Sequence, residues 1–150
     1  AFDESVYNKD KAKRDAAFKQ QQEDARILRL YSSAHDAELA RNRLFDTLET
    51  SIGYNSLQLQ RIKRLRANFV GDAALAERKS QTPTAKLKDQ ISNYDKQIND
   101  LQALIDYQRT EQAKVKNDFV PIIKRLTELE KTPTATATAT QKSAFDVSPP

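Results

Sequence analysis

From Leu87 to Leu129, apolar side chains recur at alternating steps of four and three residues. One series is Leu87, Tyr94, Leu101, Gln108, Val115, Ile122 and Leu129; the other is Ile91, Ile98, Ile105, Gln112, Phe119 and Leu126. Eleven of these thirteen positions are apolar, and both exceptions are glutamines. A period near 3.5 held over about six heptads gathers the apolar side chains into one narrow stripe of a long α-helix, the seam of a coiled coil. A strand, with its period of two, cannot bury that pattern on one face.

The preceding segment, 34–79, carries a second stripe. The same stepping from Arg41 selects Phe45, Leu48, Ile52, Asn55, Leu59, Ile62, Arg66, Phe69, Ala73 and Ala76, eight of eleven being apolar, with Leu44 and Leu65 widening it on one side. Ser33, with Asp36 three residues on, resembles a capping box at its start. Between the stripes lies Ser80-Gln81-Thr82-Pro83-Thr84, read as a tight turn in which Thr82 caps the next helix and Pro83 takes its first position. Two long helices joined so briefly are expected to fold back antiparallel. Pro121, inside the second stripe, removes a helical hydrogen bond and predicts a kink.

Residues 4–31 contain no Gly or Pro and are also expected to be helical, but their apolar side chains are sparse until the cluster Ile27, Leu28, Leu30, Tyr31. The first half is therefore expected to stay exposed and the last turn to dock. Residues 132–150, a Thr-Ala repeat closed by Pro-Pro with Phe145 and Val147 nearby, lack the apolar surface to offset ordering entropy. The expected fold is all-α: an elongated antiparallel coiled-coil helical hairpin over 33–131 with its turn at about 80–84, a charged N-terminal helix over 1–32 and a disordered tail over 132–150.

Charge bears on function. The net charge of +4 is spread evenly, with seven basic and six acidic groups in 1–32, eight and six in 33–80, and nine and eight in 81–131. A nucleic-acid binder gathers its basic residues on one face, so nucleic acid is disfavoured as a partner. No apolar run is long enough to span a membrane, which leaves peripheral envelope contact open. The absence of cysteine removes disulfides and thiol chemistry. His35, beside Ser32, Ser33 and Asp36, has the residue types of a nucleophile set but sits at a helix start without a pocket. No enzyme activity, metal or cofactor is expected.

Three features remain as candidate sites. Gln108 and Gln112 are expected to face Asn55 and Ser51, beside Gly53, as a polar layer that fixes register or serves as a hinge. Apolar residues at the two ends of the hairpin are the expected partner-binding groups: Ile27, Leu28, Tyr31, Leu44 and Ile123 at the base, which a three-helix arrangement is expected to bury, and Phe69 and Leu87 at the tip. The run Arg61, Lys63, Arg64 and Arg66 is expected to pair partly with Asp95, Asp100 or Asp106 across the hairpin; the alternative is an anionic-polymer-binding patch for nucleic acid, lipid headgroups or polysaccharide.

The stretch Arg26-Ile27-Leu28-Arg29-Leu30-Tyr31-Ser32-Ser33, followed by Ala40-Arg41-Asn42-Arg43, resembles a pattern found in small uncharacterised secreted or periplasmic helical-hairpin proteins of Gram-negative bacteria. That resemblance covers about residues 10–130 and implies an envelope location and a hairpin, without an activity. Together these readings predict a non-enzymatic structural or adaptor protein, periplasmic or extracellular after removal of a signal peptide, that binds a protein assembly or itself through helix–helix contacts. The alternatives are a cytoplasmic location, the anionic-polymer module, and a periplasmic holdase-type chaperone.

Overall fold

A computed structural model describes residues 2–132. The tail reading, with Phe145, Val147 and the threonines beyond Thr132, lies outside the described residues. Three helices follow in order: α1 (Glu4–Leu30), α2 (Ala34–Arg78) and α3 (Ala85–Lys131). Among the described residues there is no strand, as the periods require.

Each helix boundary has a local cause. The Asp3 carboxylate accepts from the Ser5 amide at 3.0 Å, satisfying one of the amides that α1 leaves without an intrahelical partner. At α2, Ser33 Oγ accepts from the Asp36 amide at 3.0 Å, as a capping box requires. The return bond lands one residue earlier than in a capping box, from the Ser32 amide to Asp36 at 3.0 Å. The α2 C-terminus closes in a Schellman motif: the Gln81 amide reaches the Ala76 carbonyl and the Ser80 amide that of Glu77, with Ser80 left-handed at φ 59°.

The start of α3 corrects the sequence reading. Thr84, not Thr82, is the cap, its hydroxyl accepting from the Leu87 amide at 3.2 Å, and α3 begins at Ala85, two residues after Pro83. The Thr84 hydroxyl, three residues before Leu87, takes the capping role, which leaves Thr82 and Pro83 in the connection. Pro121 lies within α3, which is helical on both sides of it.

The chain groups into two compact units. One combines the segment through Arg41 with the segment from Asn117 onward; the other is Asn42–Lys116. This division differs from the expected one of N-terminal helix against whole hairpin, since both α2 and α3 contribute to each unit.

In the Asn42–Lys116 unit, α2 and α3 pack against one another. Ile52, Leu59 and Ile105 are buried, with Ile98 and Leu101 packed against them. Phe69 stacks on Tyr94, with centroids 5.5 Å apart and planes at 23°. Cross-helix pairs run in opposite numerical order, Asn55 with Gln108, Arg66 with Asp95 and Phe69 with Tyr94. Each fully buried Ile or Leu contributes about 1.5–3 kcal/mol.

In the other unit, Ile27, Ala34, Ala37, Phe119 and Leu126 are buried. The Tyr31 and Phe119 rings meet at 5.6 Å. Arg125 forks onto Asp24 with two bonds of 2.8 Å, and the Ala34 amide donates to Glu130 at 2.8 Å. Residues 2–23 are exposed throughout, as the sparse apolar content of that stretch predicts. The expectation that the whole last turn docks is corrected: Leu28 and Leu30 stay 50% and 58% exposed. Leu28 and Leu30 point about 100° and about 60° to either side of Ile27, while Tyr31, the extended C-cap of α1, turns back onto Phe119.

Candidate functional site

The polar layer is the most constructed feature of the Asn42–Lys116 unit. Asn55, Gln108 and Gln112 are buried on the facing sides of α2 and α3. Asn55 donates to the Gln108 side-chain oxygen at 3.0 Å, and Gln108 donates in turn to Ser51 Oγ at 2.7 Å. Gln112 donates to Glu49 at 2.7 Å and to the Phe45 carbonyl at 3.3 Å. Ser51 therefore pairs with Gln108, whereas the sequence reading set it opposite Gln112. A glutamine side chain spans about one helical turn, so Gln112 reaches on to Glu49. Among the described residues no buried side-chain nitrogen or oxygen lacks a partner. Gly53 adds nothing to the layer: it is exposed, and a methyl group there meets no atom within 4 Å.

The expected partner-binding residues fall into different environments. Ile27 is 3% exposed and is part of its unit's interior, while Tyr31 and Ile123 are half-buried. Leu28 of that unit and Leu44 of the other are each 50% exposed, so the expected common burial does not occur. Phe69 is occupied by Tyr94, and Leu87 is half-buried beside its cap. A groove of about 640 Å³ runs between α1 and α3, floored by Ile27, Pro121 and Ile122 and edged by Glu23, Arg26 and Arg125. Here the Arg125 guanidinium holds the Asp24 carboxyl below its ordinary value by hydrogen bonding, with partial burial opposing and Gln20 assisting.

The basic run divides. Arg66 is half-buried and paired with Asp95 on α3, one of the three partners anticipated. Arg61, Lys63 and Arg64 are exposed and form no ion pair among the described residues. His35 is exposed, 4.0 Å from Glu38, and no cluster of three potential metal ligands occurs among the described residues. No described helix is long and apolar enough to cross a membrane.

Sequence reasoning missed the strongest asymmetry of this unit. Leu44, Tyr54, Leu57, Val70, Leu75, Leu104 and Tyr107 are exposed apolar or aromatic groups on its two helices, at 38–66%. Tyr54 and Tyr107 are expected near the polar layer, but Leu57 and Leu104 lie off the seam and a search along it passes over them; plotting both helices as wheels would have shown the shared exposure.

Comparison with known proteins gives no match to a family model, to a curated protein or to a solved structure.

Proposed function

We propose that this chain is a non-enzymatic structural or adaptor protein that acts through helix-to-helix contacts, its helices α2 and α3 forming an antiparallel coiled-coil hairpin. One observation carries the reading. In the Asn42–Lys116 unit only Ile52, Leu59 and Ile105 are buried apolar side chains, against seven large exposed ones. Exposed apolar surface on rigid helices favours association, because joining another helix removes it from water. The order of the cross-helix pairs and the heptad spacing support the hairpin. An envelope or extracellular location is supported by the resemblance of residues 26–43 alone.

A second reading follows from the free cations. Arg61, Lys63 and Arg64 stand in solvent without acidic partners, an arrangement open to an anionic polymer. Capture of partners by the tagged chain from a native-source envelope extract, at low and high salt, separates the two. A stoichiometric protein that survives high salt and is lost on Leu28→Asp or Tyr54→Glu supports the adaptor. Nucleic acid or anionic glycan that dissociates with salt, and fails to bind Lys63→Glu/Arg64→Glu, overturns it.

A further inference from the structure

The two flanks of the Asn42–Lys116 unit differ. The buried residues Ile52, Asn55 and Leu59 define the inward direction of α2, and Ile105, Gln108 and Gln112 that of α3. At about 100° per residue, Glu49, Ser56 and Lys63 on α2 and Asp95, Gln102 and Arg109 on α3 turn to one flank. This flank is mainly polar: Lys116 lies over the Phe45 ring, only the small Ala67 and Ala113 join it, and it carries the Glu49–Gln112 and Asp95–Arg66 contacts. The opposite flank bears Leu44 at 50%, Tyr54 at 64%, Leu104 at 42% and Tyr107 at 61% exposure. Because the helices run in opposite directions, positions offset in the same rotational sense from the seam lie on the same flank.

We infer that this apolar flank is a homodimer interface, covered by the same flank of a second copy. The inference rests on the helix-contact reading above and names its surface and partner. Area is one ground. About 32 residues of helix at 1.5 Å each, two helices wide, give a face of roughly 900 Å², close to the ~800 Å² per partner of a stable complex.

Charge selects the arrangement. The α3 edge of the flank carries Asp100 and Glu111, and the α2 edge carries Arg61. A two-fold axis across the helices, centred between Leu104 and Tyr107, would set Asp100 against Glu111 of the second copy, acid on acid. An axis along the helices lays α2 over α3 of the second copy instead. The Asn55–Gln108 bond puts Tyr54 level with Tyr107, and the Arg66–Asp95 pair puts Arg61 level with Asp100. In that arrangement Tyr54 meets Tyr107 of the second copy and Arg61 approaches Asp100 of the second copy, each contact made twice. Tyrosine pairs suit such a centre, contributing large area at low entropy.

The test uses sedimentation velocity on the full chain, and cysteine pairing in a sequence that has none. The expected result is a dimer at micromolar concentration that Tyr54→Glu or Tyr107→Glu converts to monomer with helicity unchanged by circular dichroism. An oxidised mixture of Tyr54→Cys and Tyr107→Cys chains forms the mixed disulfide dimer, while neither variant alone links to itself. Arg61→Asp weakens the dimer about two- to fivefold, and Asp100→Arg in the same chain restores it. A monomer up to 100 µM overturns the inference, as does self-linking of Tyr54→Cys alone. A monomer that still captures a salt-resistant protein partner leaves the adaptor reading standing and removes only the dimer.

Discussion

Replacing Gln108 with leucine, alone and together with Asn55→Leu, isolates what the buried amides do. In the single variant the Asn55 amide loses its acceptor and Ser51 its donor. Asn55 is 9% exposed, so stranding its polar group costs about 1–3 kcal/mol. The new leucine returns part of that by burial, leaving a net loss of about 1 kcal/mol. In the double variant nothing buried is stranded, since half-buried Ser51 reaches water. Two leucines then contribute apolar burial of about 1.5–3 kcal/mol each, less the bond they replace, for a net gain of about 2 kcal/mol. Asn55→Leu alone strands the Gln108 oxygen and costs about 1 kcal/mol in the same way, so the three variants together give a coupling energy of about 4 kcal/mol. At about 4 °C per kcal/mol for a chain of this size, the single variant melts about 4 °C lower and the double about 8 °C higher. Thermal and urea unfolding followed by circular dichroism, at one fixed protein concentration, reads both. Additive effects, or a double variant less stable than the parent, would refute the facing arrangement of Asn55 and Gln108.

Further outcomes follow from the same structure. Gly53→Ala gains about 0.8–1 kcal/mol by helix propensity, since its methyl group meets nothing; an unchanged or lower melting temperature would show that the glycine serves the fold. Ser80→Gly also stabilises, by about 0.5–1 kcal/mol, because it relieves a left-handed non-glycine residue; a loss would place a needed contact on the serine. Ser33→Ala and Thr84→Ala each cost about 1 kcal/mol as lost caps, whereas Thr82→Ala is near neutral; equal losses at 82 and 84 would contradict the cap. Asp24 has a folded pKa below its unfolded value, so its contribution is complete above the unfolded value near pH 4 and is lost as pH falls through the depressed folded value. Hydrogen exchange at Ile27–Tyr31 should keep its protection to pH 4 and lose it below. Asp24→Asn should weaken that protection already at pH 7, and an equal profile for both proteins would show that the ion pair contributes nothing there.

The helices were legible because their causes are local and periodic. α2 begins at Ala34, after the serine that the capping pattern marks, and α3 ends at Lys131, where the heptads stop. Gln108 and Asn55 were also legible, being polar exceptions at seam positions that meet once the turn is placed. Three things were not. The reach of Gln112 to Glu49 depends on a flexible side chain choosing between Glu49 and Ser51, two residues apart on α2. Exposure of Leu28 and Leu30 depends on which face of α1 meets α3, which composition does not fix. The division at Arg41/Asn42 and Lys116/Asn117 falls inside unbroken helices, where no glycine, proline or change of period marks it.

The long exposed stretch of α1 has a consequence of its own. Starting a helix is the unfavourable step, whereas lengthening one adds a hydrogen bond for each residue fixed. Ile27 and Asp24, held by their unit, keep the final turns formed, so the rest of α1 grows from a standing nucleus. Only the Asp3 cap and local pairs such as Gln20–Asp24 hold the distal turns. Turns far from that nucleus open more readily than those beside it, and warming loosens the exposed stretch gradually, without a single melting point. The helical order of that stretch is then a graded quantity, set by temperature and by whatever it touches.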